Sequence, residues 1–158
     1  MKLLLVVSLC LAVGAVGALS PAEIQSRIES KGGHQVLSAL WDNQAEWNAL
    51  LAGIESGDPN WLKVAQVLHP FSDAGSSEDL HNAVARALPR APERVLSLIG
   101  PGFEIDFICT SPFIEPEPGV AEAYEREALA ALASVRAPRL KALASDCAKR
   151  VKLPAPRA

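Results

Sequence analysis

The sequence predicts an all-α protein, a compact bundle or short solenoid of about eight helices in antiparallel pairs, tied by one disulfide. Apolar residues recur at helical spacing, most cleanly at Leu80, Ala83, Val84, Ala87 and Leu88, which would line one face of a 3.6-residue helix. Capping residues, prolines at first helical positions and glycine stops divide the chain into short helices. A period-two alternation occurs once, at Phe103, Ile105, Phe107 and Cys109, and a lone strand has no sheet to join.

The first segment is read as a leader. Met1-Lys2, the apolar run Leu3 to Val13 and the small residues Gly14 to Ala18 supply the three parts of a secretory signal peptide. The run falls short of the ~20 residues a membrane span needs and carries no stop-transfer pattern, so residues 1–18 are expected to be cut off near Gly17 or Ala18. Cys10 follows Val7-Ser8-Leu9, and bulky Leu9 disfavours a lipoprotein cut, so Cys10 is expected to leave with the leader. The remainder is expected to be periplasmic or extracellular, as a helical domain over 19–151 and a flexible tail over 152–158.

Ser20-Pro21-Ala22-Glu23 combines a capping serine, a proline at the first helical position and a glutamate completing a capping box, so a helix starts there and stops at Gly32-Gly33. Leu37, Leu40 and Trp41 open the next apolar face. Its phase breaks before Trp47, Leu50, Leu51 and Ile54, and Asn43 with Glu46 caps a separate helix at the break. Ser56-Gly57-Asp58-Pro59 reads as a stop followed by a start. The next helix buries Trp61, Val64, Ala65 and Leu68, widened by Leu62 and Val67, and closes near His69-Pro70 because proline disfavours a helical residue before it.

A polar loop is expected at Ser72 to Ser76, followed by the Leu80 helix with Ser76, Ser77 and Asp79 as its capping groups. Pro89 and Pro92 punctuate, Glu93 to Ile99 forms a short helix, and Gly100-Pro101-Gly102 ends it. The alternating segment that follows is read as extended or briefly helical. Thr110 to Gly119, with Pro112, Pro116 and Pro118, is a stiff connection. Tyr124, Ala128, Ala131, Leu132 and Val135 stripe one long helix, and Leu140, Leu143, Ala144, Cys147, Ala148 and Val151 stripe the last. Gly57-Asp58-Pro59 and Arg90-Ala91-Pro92 each precede a proline-started helix, about 33 residues apart, and two such copies favour a bundle over a solenoid.

Without the leader, two cysteines remain, Cys109 and Cys147, 38 positions apart. An oxidising compartment makes them a disulfide, and the apolar stripe around Cys147 argues against a reactive thiol. The net charge of −3 becomes −4 when Lys2 is removed, and the basic residues are scattered. That excludes nucleic acid or an anionic membrane surface as the expected partner, and no stable membrane insertion is expected after cleavage.

The chain carries no nucleophile elbow, no Cys-x-x-Cys, no His-Glu-x-x-His and no phosphate-binding glycine loop. No catalytic residue, metal or cofactor is assigned. The nearest constellation is Asp73, Glu78 and His81; Glu78 and His81 share a helix face at i, i+3, but one copy of that motif is weaker than the two used in dinuclear sites. Helix capping accounts for the same polar residues. His81 is read as a boundary residue, and His34 and His69 as flanking helix ends. Trp41, Trp47 and Trp61 cluster in an aromatic-poor chain; core packing is the expectation, and any two exposed together would offer a contact surface. Ile114-Glu115-Pro116-Glu117-Pro118 is a further exposed candidate for contact. The function these features favour is an exported non-enzymatic interaction protein (adaptor, inhibitor or chaperone-like) with a protein partner; the alternative is a small periplasmic hydrolase or metal-dependent enzyme using Asp73, Glu78 and His81.

Overall fold

The computed structural model describes residues 19–152; the predicted leader and residues 153–158 of the predicted tail lie outside the described residues. Helix starts follow local chemistry. The Ser20 hydroxyl accepts the Glu23 amide at 3.2 Å and Pro21 opens α1, Pro21–Lys31. The Glu23 carboxylate turns to Arg27, whose guanidinium also holds Glu46 at 2.8 Å. Gly32, at φ 84°, stops α1, and α2, Gly33–Asp42, follows at once. Asn43 accepts the Glu46 amide to start α3, Gln44–Glu55. Gly57 turns the chain at φ 73°, and Asp58 accepts the amides of Asn60 and Trp61 to start α4, Pro59–Leu68.

The core assembles from the stripes these helices carry. Ile24, Leu40, Leu50, Ile54, Leu68, Leu80 and Leu88 are fully buried. The longest central helix is α5, Ala74–Ala87, and its predicted stripe is buried throughout. It packs against α3, α4, the short α6 (Pro92–Leu96) and the single-turn α7 (Ile105–Ile108). Trp47 of α3 donates its indole N–H to Asp79 of α5 at 2.9 Å, so Asp79 joins two helices rather than serving the cap predicted for it. α1 meets α4 and α3 meets α5, so the helices pack compactly on one another. The two proline-started turns pack on each other: a Cβ built on Gly57 would sit 2.6 Å from that of Ala91, and Arg94 donates to the Gly57 carbonyl at 2.8 Å.

The predicted disulfide is present, with Cys109 and Cys147 Cα atoms 5.0 Å apart. It ties the end of α7 to α9, Lys141–Val151, and an ion pair between Arg150 and Asp106 reinforces the seam. The period-two run resolves as a paired turn between Gly100 and Phe103 followed by helix α7. Gly119, at φ 89°, starts α8, Val120–Ala133, which lies on α9 and α6. Nine α-helices and no strand occur among the described residues, close to the eight helices expected. None of these helices is long and apolar enough to cross a membrane.

One boundary differs in a way that matters. The expected loop over Ser72 to Ser76 is mostly helix, because Asp73 is the cap of α5. Its carboxylate accepts the Ser76 amide, and the Ser76 hydroxyl accepts the Asp73 amide, a reciprocal box. Ser76 is therefore the third helical residue and is buried.

Candidate functional site

The α4–α5 junction brings together side chains far apart along the chain. His69, Pro70 and Phe71 form a 3-10 turn directly after α4, and the Ser72 hydroxyl closes it by donating to the His69 carbonyl at 2.6 Å. Asp73 then starts α5, and Ser77 and His81, on successive turns of one helix face, come to lie beside His69. The Ser77 hydroxyl lies 3.2 Å from His69 Nε2, and His81 Nε2 lies 3.0 Å from the same nitrogen. His81 Nε2 also sits 2.7 Å from the Gly102 carbonyl.

Proton positions follow from these partners. A carbonyl only accepts, so His81 carries its proton on Nε2 and donates it to Gly102. His69 Nε2 is then a lone-pair acceptor for the Ser77 hydroxyl. Burial, and second the nearby positive form of His81, hold the His69 imidazole below its ordinary value, against the opposing pull of the Glu104 carboxylate. Both imidazoles pack against aromatic rings. His69 lies 4.7 Å from buried Phe103, and His81 stacks on Phe107 at 4.7 Å with ring planes 6° apart.

This cluster floors a cleft of about 700 Å³ that Asp73, Glu78 and Phe107 also line. Asp73 lines a second, smaller groove of about 160 Å³ with Trp41, Phe71 and His34, so the start of α5 is the ridge between two depressions. Phe107 is 53% exposed, Trp41 43% and Phe71 42%; with Ile114 and Val120 they are the large exposed apolar side chains among the described residues. Gly33 makes room for Phe71, since a Cβ there would fall 2.1 Å from the ring.

The predicted trio Asp73, Glu78 and His81 thus shares one cleft, but its members do different things. Ser76, through its hydroxyl and then its amide, holds the Asp73 carboxylate below its ordinary value, and that bonding commits Asp73 to its own helix. Glu78 is exposed at the rim, and His81 is drawn into the pair with His69. The pair was not legible as such, since His69 and His81 sit twelve positions apart on different elements. The three tryptophans separate: Trp47 is core, Trp61 packs half-buried against Gly53, and Trp41 is exposed, edge-on to Trp47 at 5.1 Å. Ile114, in the proline-rich connection, is 77% exposed.

Ser77 and His69 resemble a nucleophile and its base, but a relay needs the base held from its other nitrogen. Here Ser77 and His81 share one nitrogen, and His69 Nδ1 faces the Gly102 backbone, 2.7 Å from where a Cβ would stand. Neither a protein-family model, nor a curated protein, nor a solved structure matches this chain.

Proposed function

We propose that the protein is an exported, non-enzymatic interaction protein that holds a protein partner at the face around the start of α5. The observation that carries this reading is the placing of Trp41, Phe71 and Phe107, exposed aromatic side chains, around two depressions that meet at Asp73. Aromatic anchors beside concave surface supply most of the energy in protein interfaces. Asp73 and Glu78 add negative charge, so the partner segment is expected to be apolar with basic flanks. Export itself rests on the leader-like first eighteen residues and agrees with the Cys109–Cys147 bridge.

Cross-linking in the native envelope tests the reading, with wild-type chain compared with a Trp41→Ser, Phe107→Ser double variant. One partner recovered with the wild type and lost with the folded variant is the expected result. Equal recovery by both would remove the case for this face. A hydrolytic alternative has one observation in its favour, the Ser77 to His69 contact. Fluorophosphonate labelling that disappears in Ser77→Ala would establish it.

A further inference from the structure

We infer that His69 and His81 form a binding site for a late first-row divalent metal ion at the floor of the α5 cleft. Two imidazole nitrogens lie 3.0 Å apart although neither needs the other for its hydrogen bond: His81 Nε2 donates to Gly102 at 2.7 Å, and His69 Nε2 is served by Ser77 at 3.2 Å. With metal–nitrogen bonds of about 2.0 to 2.1 Å, two ligands at right angles are about 2.9 Å apart and two tetrahedral ligands about 3.3 Å. The observed separation matches the right-angled edge, the arrangement copper(II) and nickel(II) favour; zinc would require the pair to open slightly. Phe103 packs against the His69 ring and Phe107 stacks on the His81 ring.

Among the described residues no group of three His, Cys, Asp or Glu side chains is placed to hold an ion, so the pair supplies two ligands. The Ser77 hydroxyl and the Gly102 carbonyl lie beside it, and Glu78 lines the same cleft one turn before His81. Water would complete the coordination. For His81 Nε2 to bind the ion, its proton moves to Nδ1 through water, and the Gly102 carbonyl, now 2.7 Å from Nε2 in the direction the ion would enter, turns aside or becomes a ligand. The inference stands apart from the partner reading because its ligands, His69 and His81, are not among the aromatic anchors of that face.

Titration of the purified, disulfide-intact chain with copper(II) chloride, followed by calorimetry and electron paramagnetic resonance, tests it. One ion per chain with nitrogen hyperfine structure is expected, with nickel(II) and zinc(II) weaker in line with the usual affinity order. His69→Ala and His81→Ala should each weaken binding by roughly tenfold or more, whereas His34→Ala should leave it unchanged. In the wild type, sub-stoichiometric copper should selectively broaden the imidazole proton resonances of His69 and His81, a readout that needs no variant to fold. Broadening centred on His34, loss of binding in His34→Ala, or no saturable one-to-one binding would each overturn the proposal.

Discussion

The phenolic hydroxyl of Tyr124 on α8 donates to the backbone carbonyl of Ala85 on α5 at 2.9 Å, in a buried setting, and so joins the C-terminal helix pair to the central helix. Burial pushes the phenol well above its ordinary value, so the group stays a donor at every pH the fold tolerates. Tyr124→Phe keeps the ring, which packs edge-on against Phe113 at 5.7 Å, and removes only the bond. The Ala85 carbonyl retains the Leu88 amide at 3.0 Å, so the loss should stay near ~1 kcal/mol in urea denaturation. A variant as stable as the wild type would show that the bond contributes nothing net.

Gly53 lets α3 approach Trp61 of α4: a Cβ there would fall 2.4 Å from the indole. Helix propensity alone favours Gly53→Ala by about 1 kcal/mol. Overpacking against a half-buried ring costs about 1 to 3 kcal/mol, and here it is expected to win. Chemical denaturation should show a net loss together with a shift in tryptophan fluorescence. A net gain would mean that Trp61 moves aside freely.

Replacing Cys109 and Cys147 by serine frees a loop of 38 residues and should cost about 4 kcal/mol on the loop-entropy account. The damage should concentrate where the bridge acts, between α7 and α9, so the connection over 110–119 should become the first site of proteolysis. Intact-mass measurement of the native chain should find no free thiol at either position.

Glu93 accepts the backbone amides of Arg136 at 2.8 Å and Ala137 at 2.9 Å, and so straps the α8–α9 turn to α6. The Ala137 and Arg136 amides hold its carboxyl below the ordinary 4.5. A depressed folded value means that this stabilisation is fully present above 4.5 and fades as pH falls through the folded value. Glu93→Gln should therefore be less stable than wild type at neutral pH, and the gap should narrow on acidification below that point. Asp73, shifted the same way by Ser76, leaves some acid dependence in the variant. Parallel stability curves for the two proteins would contradict the assignment.

Much of the fold is legible along the chain because helix limits are set by neighbours in sequence. Ser20, Asn43 and Asp58 each cap the helix expected of them, and the stripe from Leu80 to Leu88 is buried as its spacing requires. The start of α5 was less legible. A serine is an ordinary capping residue, so Ser76 and Ser77 look like the boundary, whereas Asp73 takes that place and Ser76 answers it from inside the helix.

The candidate site was legible only in part. Spacing along one helix put Glu78 and His81 on a common face, but nothing local indicated that His69 would reach His81, or that Arg86 would hold Glu55 at 2.9 Å and the Pro112 carbonyl at 3.0 Å. Likewise, three tryptophans with similar apolar neighbours were sorted into core, seam and surface only by how α2, α3 and α4 cross.

By itself, then, the sequence determined the all-α class, the starts of the capped helices α1, α3 and α4 and the single disulfide among the described residues, since periodicity, capping and the count of cysteines are properties of short stretches or of simple arithmetic. Tertiary structure alone decided which aromatics reach the surface, and that the histidines at 69 and 81 meet above Phe103. The physical reason is that a side chain's partners across a helix interface depend on the angle and offset at which two helices pack. The α4 to α5 turn sets those quantities, and no local pattern records them.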